Sequence, residues 1–227
     1  MSSARRVFRP TDRGLSSVNF SIAICYPLFA ILTVPSTLLP FSAALLAGGR
    51  SRRMGRDKRL LLVDWQGEPV PLWKRQLEVM RELAPVELLV SGMPDLEYPP
   101  DARVVPDKVE NAGPLAGILS CLTAAQSELL VVLAVDLPNM SSTYLSSLVQ
   151  RSVPGCGVVP AIEQDLEPVA AVYPVEAAAV ALTLLQQGRR SLQTFARQLE
   201  QSGLVSIQKV APDEAALFRN WNSPADL

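Results

Sequence analysis

The chain has 227 residues, 48% of them apolar, a formal net charge of -1 and a sequence pI near 5.6. That is enough apolar material for one domain with a sizeable core, and the balanced charge excludes a general nucleic-acid binder, whose footprint is a basic surface. With no histidine present, Ser-His-Asp and Cys-His nucleophilic sites and the usual zinc ligand sets are excluded, so a bound metal has oxygen ligands, which favours Mg²⁺.

At the start of the chain, Arg5, Arg6, Arg9 and Arg13 precede an apolar stretch over 18–39 that looks like a signal peptide or membrane helix. Pro27, Pro35 and Pro40 interrupt it, and a proline inside a helix costs roughly 3 kcal/mol. Residues 1–40 are therefore read as an N-terminal extension, disordered or non-native, with a membrane anchor as the alternative. Residues 41–227 are read as the folded domain. The three cysteines, Cys25, Cys121 and Cys156, are far apart and odd in number, as expected of reduced thiols in a cytoplasmic protein.

A first strand is predicted over 43–47. It feeds Leu46-Ala47-Gly48-Gly49 and then a loop carrying Arg50, Arg52, Arg53, Arg56 and Lys58. Glycines let a backbone approach a polyphosphate with its N–H groups inward, and Arg and Lys neutralise the charge. The stretch also fits a solvated basic turn. It is neither a Walker A loop, since Gly55 is followed by Arg56 and Asp57, nor a dinucleotide fingerprint, since no residue separates Gly48 from Gly49.

An extended piece over 60–63, a turn through Asp64-Trp65-Gln66-Gly67 and a helix over 71–83 follow, the helix from the spacing of Trp73, Leu77, Met80 and Leu83. Strands are expected at 86–90 and 102–105, a helix opening at Pro114, and a strand buried on both faces over 129–135. Ser141 or Ser142 caps the next helix, and Gly155-Cys156-Gly157 reads as a turn. Strands at 158–162 and 169–172, helices at 175–187 and 191–201, a strand at 204–209 and a short helix complete the βαβ rhythm of a mostly parallel sheet.

The pattern Leu-Ala-Gly-Gly-x-Ser-x-Arg-Met-Gly-x-Asp-Lys over 46–58 resembles the signature loop of the molybdenum cofactor guanylyltransferases, within the nucleotidyltransferase superfamily. Gly113-Pro114-Leu115-Ala116-Gly117, Val135-Asp136-Leu137-Pro138 and the tail Asn220-Trp221-Asn222-Ser223-Pro224 agree in the expected order, so the resemblance covers residues 42–227. It implies a three-layer α/β/α Rossmann-like nucleotidyltransferase fold and transfer of GMP from GTP·Mg²⁺ to molybdopterin-bound molybdenum, with pyrophosphate released. Implied partners are GTP, the molybdopterin cofactor, molybdenum-insertion proteins and target molybdoenzymes or their chaperones, with no nucleic acid and no membrane. A CTP-dependent or sugar-phosphate nucleotidyltransferase, and a non-catalytic nucleotide-binding adaptor, remain as alternatives.

Asp136 follows the central apolar run, so its carboxylate belongs at the carboxyl edge of the sheet, where ligands bind in open α/β folds. An Asp there also fits a plain strand end, and the resemblance assigns it to metal. Lys58 and Arg53 are expected on the triphosphate, with Leu46, Ala47, Gly48 and Gly49 beneath the nucleotide. The resemblance places Asp107 on the nucleotide, and Asn220, Asn222 and Glu167 on the acceptor. Ser91 stands where some members have an Asn facing the base.

Overall fold

Short apolar runs become strands here, and amphipathic stretches become the helices that cover them. The computed structural model describes residues 39–48, 57–92, 96–109 and 112–221. Strand β1 (Phe41–Leu46) is followed by a 3₁₀ turn at Lys58–Leu60, a hairpin of β2 (Leu62–Trp65) and β3 (Glu68–Pro71), and helix α1 (Leu72–Arg81). Next come β4 (Glu87–Ser91), β5 (Ala102–Val105), α2 (Pro114–Ala124), β6 (Leu129–Ala134) and α3 (Ser142–Arg151). The remainder holds β7 (Gly157–Ile162), β8 (Asp165–Leu166), β9 (Ala170–Pro174), α4 (Ala177–Gln186), α5 (Leu192–Gln201), β10 (Val205–Lys209) and a 3₁₀ turn at Ala215–Phe218.

The main sheet runs β10-β7-β9-β6-β1-β4-β5, with β8 paired to β7. Strands β6, β1, β4 and β5 are parallel neighbours, as the βαβ rhythm predicts. Strand β9 runs antiparallel to both β6 and β7. Alternate residues of each strand face opposite layers. Ala43 and Leu45 join Leu77 and Met80 of α1 and Leu145 and Leu148 of α3. Ala44 and Leu46 join Leu115 and Ile118 of α2 and Phe195 and Leu199 of α5. This gives the expected three layers. Every residue of β6 is buried, and burying a Val or Leu side chain contributes about 1.5–3 kcal/mol.

Local chemistry explains the element ends. Gln66 and Gly67 both have positive φ (57° and 86°), the requirement of a two-residue hairpin turn between β2 and β3. Ser141 caps α3 by accepting from the Tyr144 N–H. Gly113, at φ 74°, precedes Pro114 in the first turn of α2. The expected extended piece over 60–63 divides into a 3₁₀ turn through Leu60 and a strand from Leu62, because the Asp57 side chain accepts from the Arg59 N–H and winds the chain there. Gly157, expected in a turn, starts β7 instead. A Cβ there would stand 2.0 Å from the Val172 carbonyl oxygen, so only glycine lets β7 approach β9. Cys121 is buried on α2. Among the described residues no helix is long and apolar enough to cross a membrane. The reading of residues 1–38 lies outside the described residues.

Candidate active site

Four parallel strands end level with one another. Leu46 pairs with Ser91 and with Ala134, and Ser91 pairs with Val105. The next residues of each strand, Ala47-Gly48, Gly92, Pro106-Asp107 and Val135-Asp136, therefore line one edge of the sheet. In a parallel sheet that edge is where chains diverge and leave a cleft.

On one side of the cleft, Lys58 Nζ lies 3.6 Å from Asp136 Oδ2, with side chains 16% and 30% exposed. These groups come from distant parts of the chain, and each keeps a solvent-facing portion. A single carboxylate fits a hard cation that takes its remaining ligands from phosphate oxygens and water. It does not fit a closed protein cage, and no cluster of three or more acidic, His or Cys ligands occurs among the described residues. The Trp221 N–H donates to the Asp136 carbonyl at 3.1 Å, which ties Trp221 and the adjacent Asn220 to the same turn.

On the other side, Gly48 faces Asp107. A Cβ built on Gly48 would stand 3.5 Å from Asp107 Oδ2 and 3.8 Å from both the Gly92 Cα and the Ser91 carbonyl oxygen. The second Asp107 oxygen, Oδ1, is buried and has no hydrogen-bond partner among the described residues. Burial raises the pKa of this carboxyl, since the charged form is deprived of water. The oxygen that faces the side-chain-free wall of Gly48 is Oδ2, and a carboxylate oxygen there can accept from a ligand's N–H or O–H. Gly92, at φ +122°, packs against Gly48 with 3.2 Å between its notional Cβ and the Gly48 Cα. A notional Cβ on Gly117 would lie 2.7 Å from Ser91 Oγ, so α2 sits close against the end of β4.

Glu167 stands near the same end of the sheet, where its N–H donates to the Pro160 carbonyl of β7 at 2.8 Å. β9 starts opposite the end of β6, and the Ala134 N–H donates to the Val169 carbonyl at 2.8 Å. Burial first, then the neighbouring Asp165, pushes the Glu167 pKa up to about 7. The structure thus brings Leu46, Ala47, Gly48, Lys58, Asp107, Asp136, Glu167 and Asn220 to one edge of the sheet. Gly49, Arg53 and Asn222 lie outside the described residues. Gly92 was missed by sequence reasoning, its signal being a glycine directly after a strand, and Gly117 entered only as part of the Gly113–Gly117 motif, without its packing role inside an apolar helix.

Residues 43–202 match the MobA-like NTP transferase domain family. The chain is 35% identical to the molybdenum cofactor guanylyltransferase of Xanthomonas euvesicatoria over 82% of its length and 91% of that protein's. It is 34% identical to the Pseudomonas putida protein of the same name, over 86% of this chain and 99% of that one. Among solved structures, the molybdopterin-guanine dinucleotide biosynthesis protein A of Archaeoglobus fulgidus shares the fold. Its TM-score is 0.62 at 24% identity, over 82% of this chain and 94% of that one.

Proposed function

This chain belongs to the MobA-like NTP transferase family, and from that premise we propose that it transfers GMP from GTP to molybdopterin-bound molybdenum, releasing pyrophosphate. Relatives named molybdenum cofactor guanylyltransferase support the reaction. The observation that carries it is the 3.6 Å approach of Lys58 to Asp136 at the carboxyl edge of the parallel strands.

The acceptor is a phosphate monoester, ionised at neutral pH without help, its second pKa lying near 6. Attack on the α-phosphoryl group therefore needs no general base, in keeping with a chain that has no histidine. What remains for the protein is alignment and charge neutralisation. Asp136 would hold Mg²⁺, which supplies neutralisation of the triphosphate and of the pyrophosphate as it leaves. Lys58 gives a point charge to the phosphates and Arg53 a planar fork. Leu46, Ala47 and Gly48, followed by Gly49, run beneath the nucleotide, and Asp107 accepts from one of its donors. Asn220, Asn222 and Glu167 receive the acceptor, and a Glu167 carboxyl titrating near 7 repels an anionic acceptor less than a permanently ionised one.

Pyrophosphate release assayed with GTP, Mg²⁺ and the molybdenum-loaded acceptor tests this. Asp136→Asn should lower turnover by about 10²–10³-fold, the usual cost of one transition-state contact. Its melting temperature should stay within about 4 °C of the parent, because a partly exposed ion pair with a separation as long as 3.6 Å contributes only ~0–1 kcal/mol. Near-normal turnover at saturating Mg²⁺ refutes the assignment. Stabilisation by CTP but not GTP in a thermal titration, where a ligand at about 100 times its Kd adds about 2.7 kcal/mol, would move the substrate to CTP.

A further inference from the structure

We infer that Gln76, backed by Arg75, is a positioning residue that sets where the Asp136 carboxylate stands relative to Lys58. The inference rests on the reading of Asp136 as the cation-holding group. Gln76 is wholly buried on α1. Its Nε2 donates to the Leu137 carbonyl at 2.8 Å and to the Ala134 carbonyl at 3.3 Å, the two carbonyls that bracket Val135-Asp136. Arg75 Nη1 donates to Gln76 Oε1 at 2.5 Å, which turns the amide so that Nε2 faces that loop. Arg75 Nη2 donates to the Met140 carbonyl at 2.9 Å, at the far end of the same loop.

The same helix also reaches the Lys58 side. The Leu72 N–H donates to the Leu61 carbonyl at 2.8 Å, just after the Lys58 turn. The Arg75 guanidinium lies over the Trp65 ring of β2, 5.1 Å from its centroid. One helix therefore grips both segments whose side chains, Lys58 and Asp136, meet on one side of the cleft. The apolar face of α1 is already supplied by Leu72, Leu77 and Met80, so packing alone does not call for a buried amide. Burying an amide is costly unless its groups are paired, and this one is paired entirely to the loop that carries Asp136 and to Arg75. A polar clamp of this kind confines a loop's conformation to a narrow range.

The test compares Gln76→Met, Asp136→Asn and the double variant. It reads melting temperature, Mn²⁺ affinity in the presence of GTP by electron paramagnetic resonance, and kcat with KM for GTP. For Gln76→Met the expectation is at least fivefold weaker Mn²⁺ binding and a kcat about tenfold lower, with KM for GTP within twofold. In the Asp136→Asn background the same substitution should add less than twofold, because it acts through that carboxylate. A folded Gln76→Met protein with parental Mn²⁺ affinity and kcat overturns the inference, and so do losses that multiply in the double variant. Should Gln76→Met not fold, Arg75→Lys decides: it leaves Gln76 in place but frees its amide to turn, and Mn²⁺ affinity must fall at least threefold or the inference fails. If Asp136→Asn itself keeps parental Mn²⁺ affinity, both readings fall, and that arm alone shows that the cation assignment fell first.

Discussion

Replacing Gly48 by alanine separates a ligand-facing glycine from a structural one. Gly48 is not among the residues with positive φ, so an alanine adopts its backbone without strain. The new methyl would meet its nearest neighbour, Asp107 Oδ2, at 3.5 Å, an ordinary van der Waals separation. The fold should barely respond, with a melting temperature within about 2 °C of the parent. Nucleotide binding is another matter. The methyl occupies the space through which a ligand donor would approach Asp107 Oδ2, while Oδ1 has no partner among the described residues. Losing one hydrogen bond to a charged group costs about 1.5–3 kcal/mol, which is a factor of about 10–150 in affinity. Calorimetric titration with GTP·Mg²⁺ reads this directly, and the KM in the pyrophosphate assay should rise in parallel. GTP affinity within twofold of the parent would refute the placement of the nucleotide over Gly48 and Asp107.

Other expectations follow from the same geometry. Gly157→Ala must push a Cβ into the Val172 carbonyl, only 2.0 Å away in the present backbone; separating β7 from β9 should cost more than about 3 kcal/mol. A chemical-denaturation midpoint equal to the parent's would show that the two strands are not so closely apposed. Glu167 has a folded-state pKa near 7, above the ordinary 4.5, because burial disfavours its charge. The folded state therefore holds the proton more tightly, so stability from this group is full below about pH 4.5 and falls as pH rises through about 7. Full desolvation would make the loss about 3 kcal/mol; solvent screening of a half-buried group reduces it to about 1 kcal/mol. Melting curves from pH 4 to 8 should be flatter for Glu167→Gln than for the parent, and parallel curves would count against the burial argument.

Much of this was written in the residues, and the reason differs from part to part. The unbroken apolar run of β6 and the alternation of layers around Ala43, Ala44, Leu45 and Leu46 follow from which side chains can meet water. Gly48, Lys58 and Asp136 could be singled out in the sequence because a glycine-led cationic loop and a strand-end acid are local patterns of residue type. The packing roles of Gly92 and Gly117 could not, since they lie in what the missing side chains would strike: Gly48 in one case, Ser91 in the other.

The sequence by itself determined most of the strand segments, which faces of the helices are apolar, and that a glycine-led cationic loop precedes a strand-end carboxylate. Those are properties of neighbouring residues and of their affinity for water. Only the tertiary structure decided that β9 enters the sheet antiparallel between β6 and β7, since a strand buried on both faces has the same composition in either direction. It alone decided that Lys58 meets Asp136, and that a buried glutamine of α1 holds the loop beneath that carboxylate. Such partners are chosen by the simultaneous burial of the whole chain, which no local pattern records.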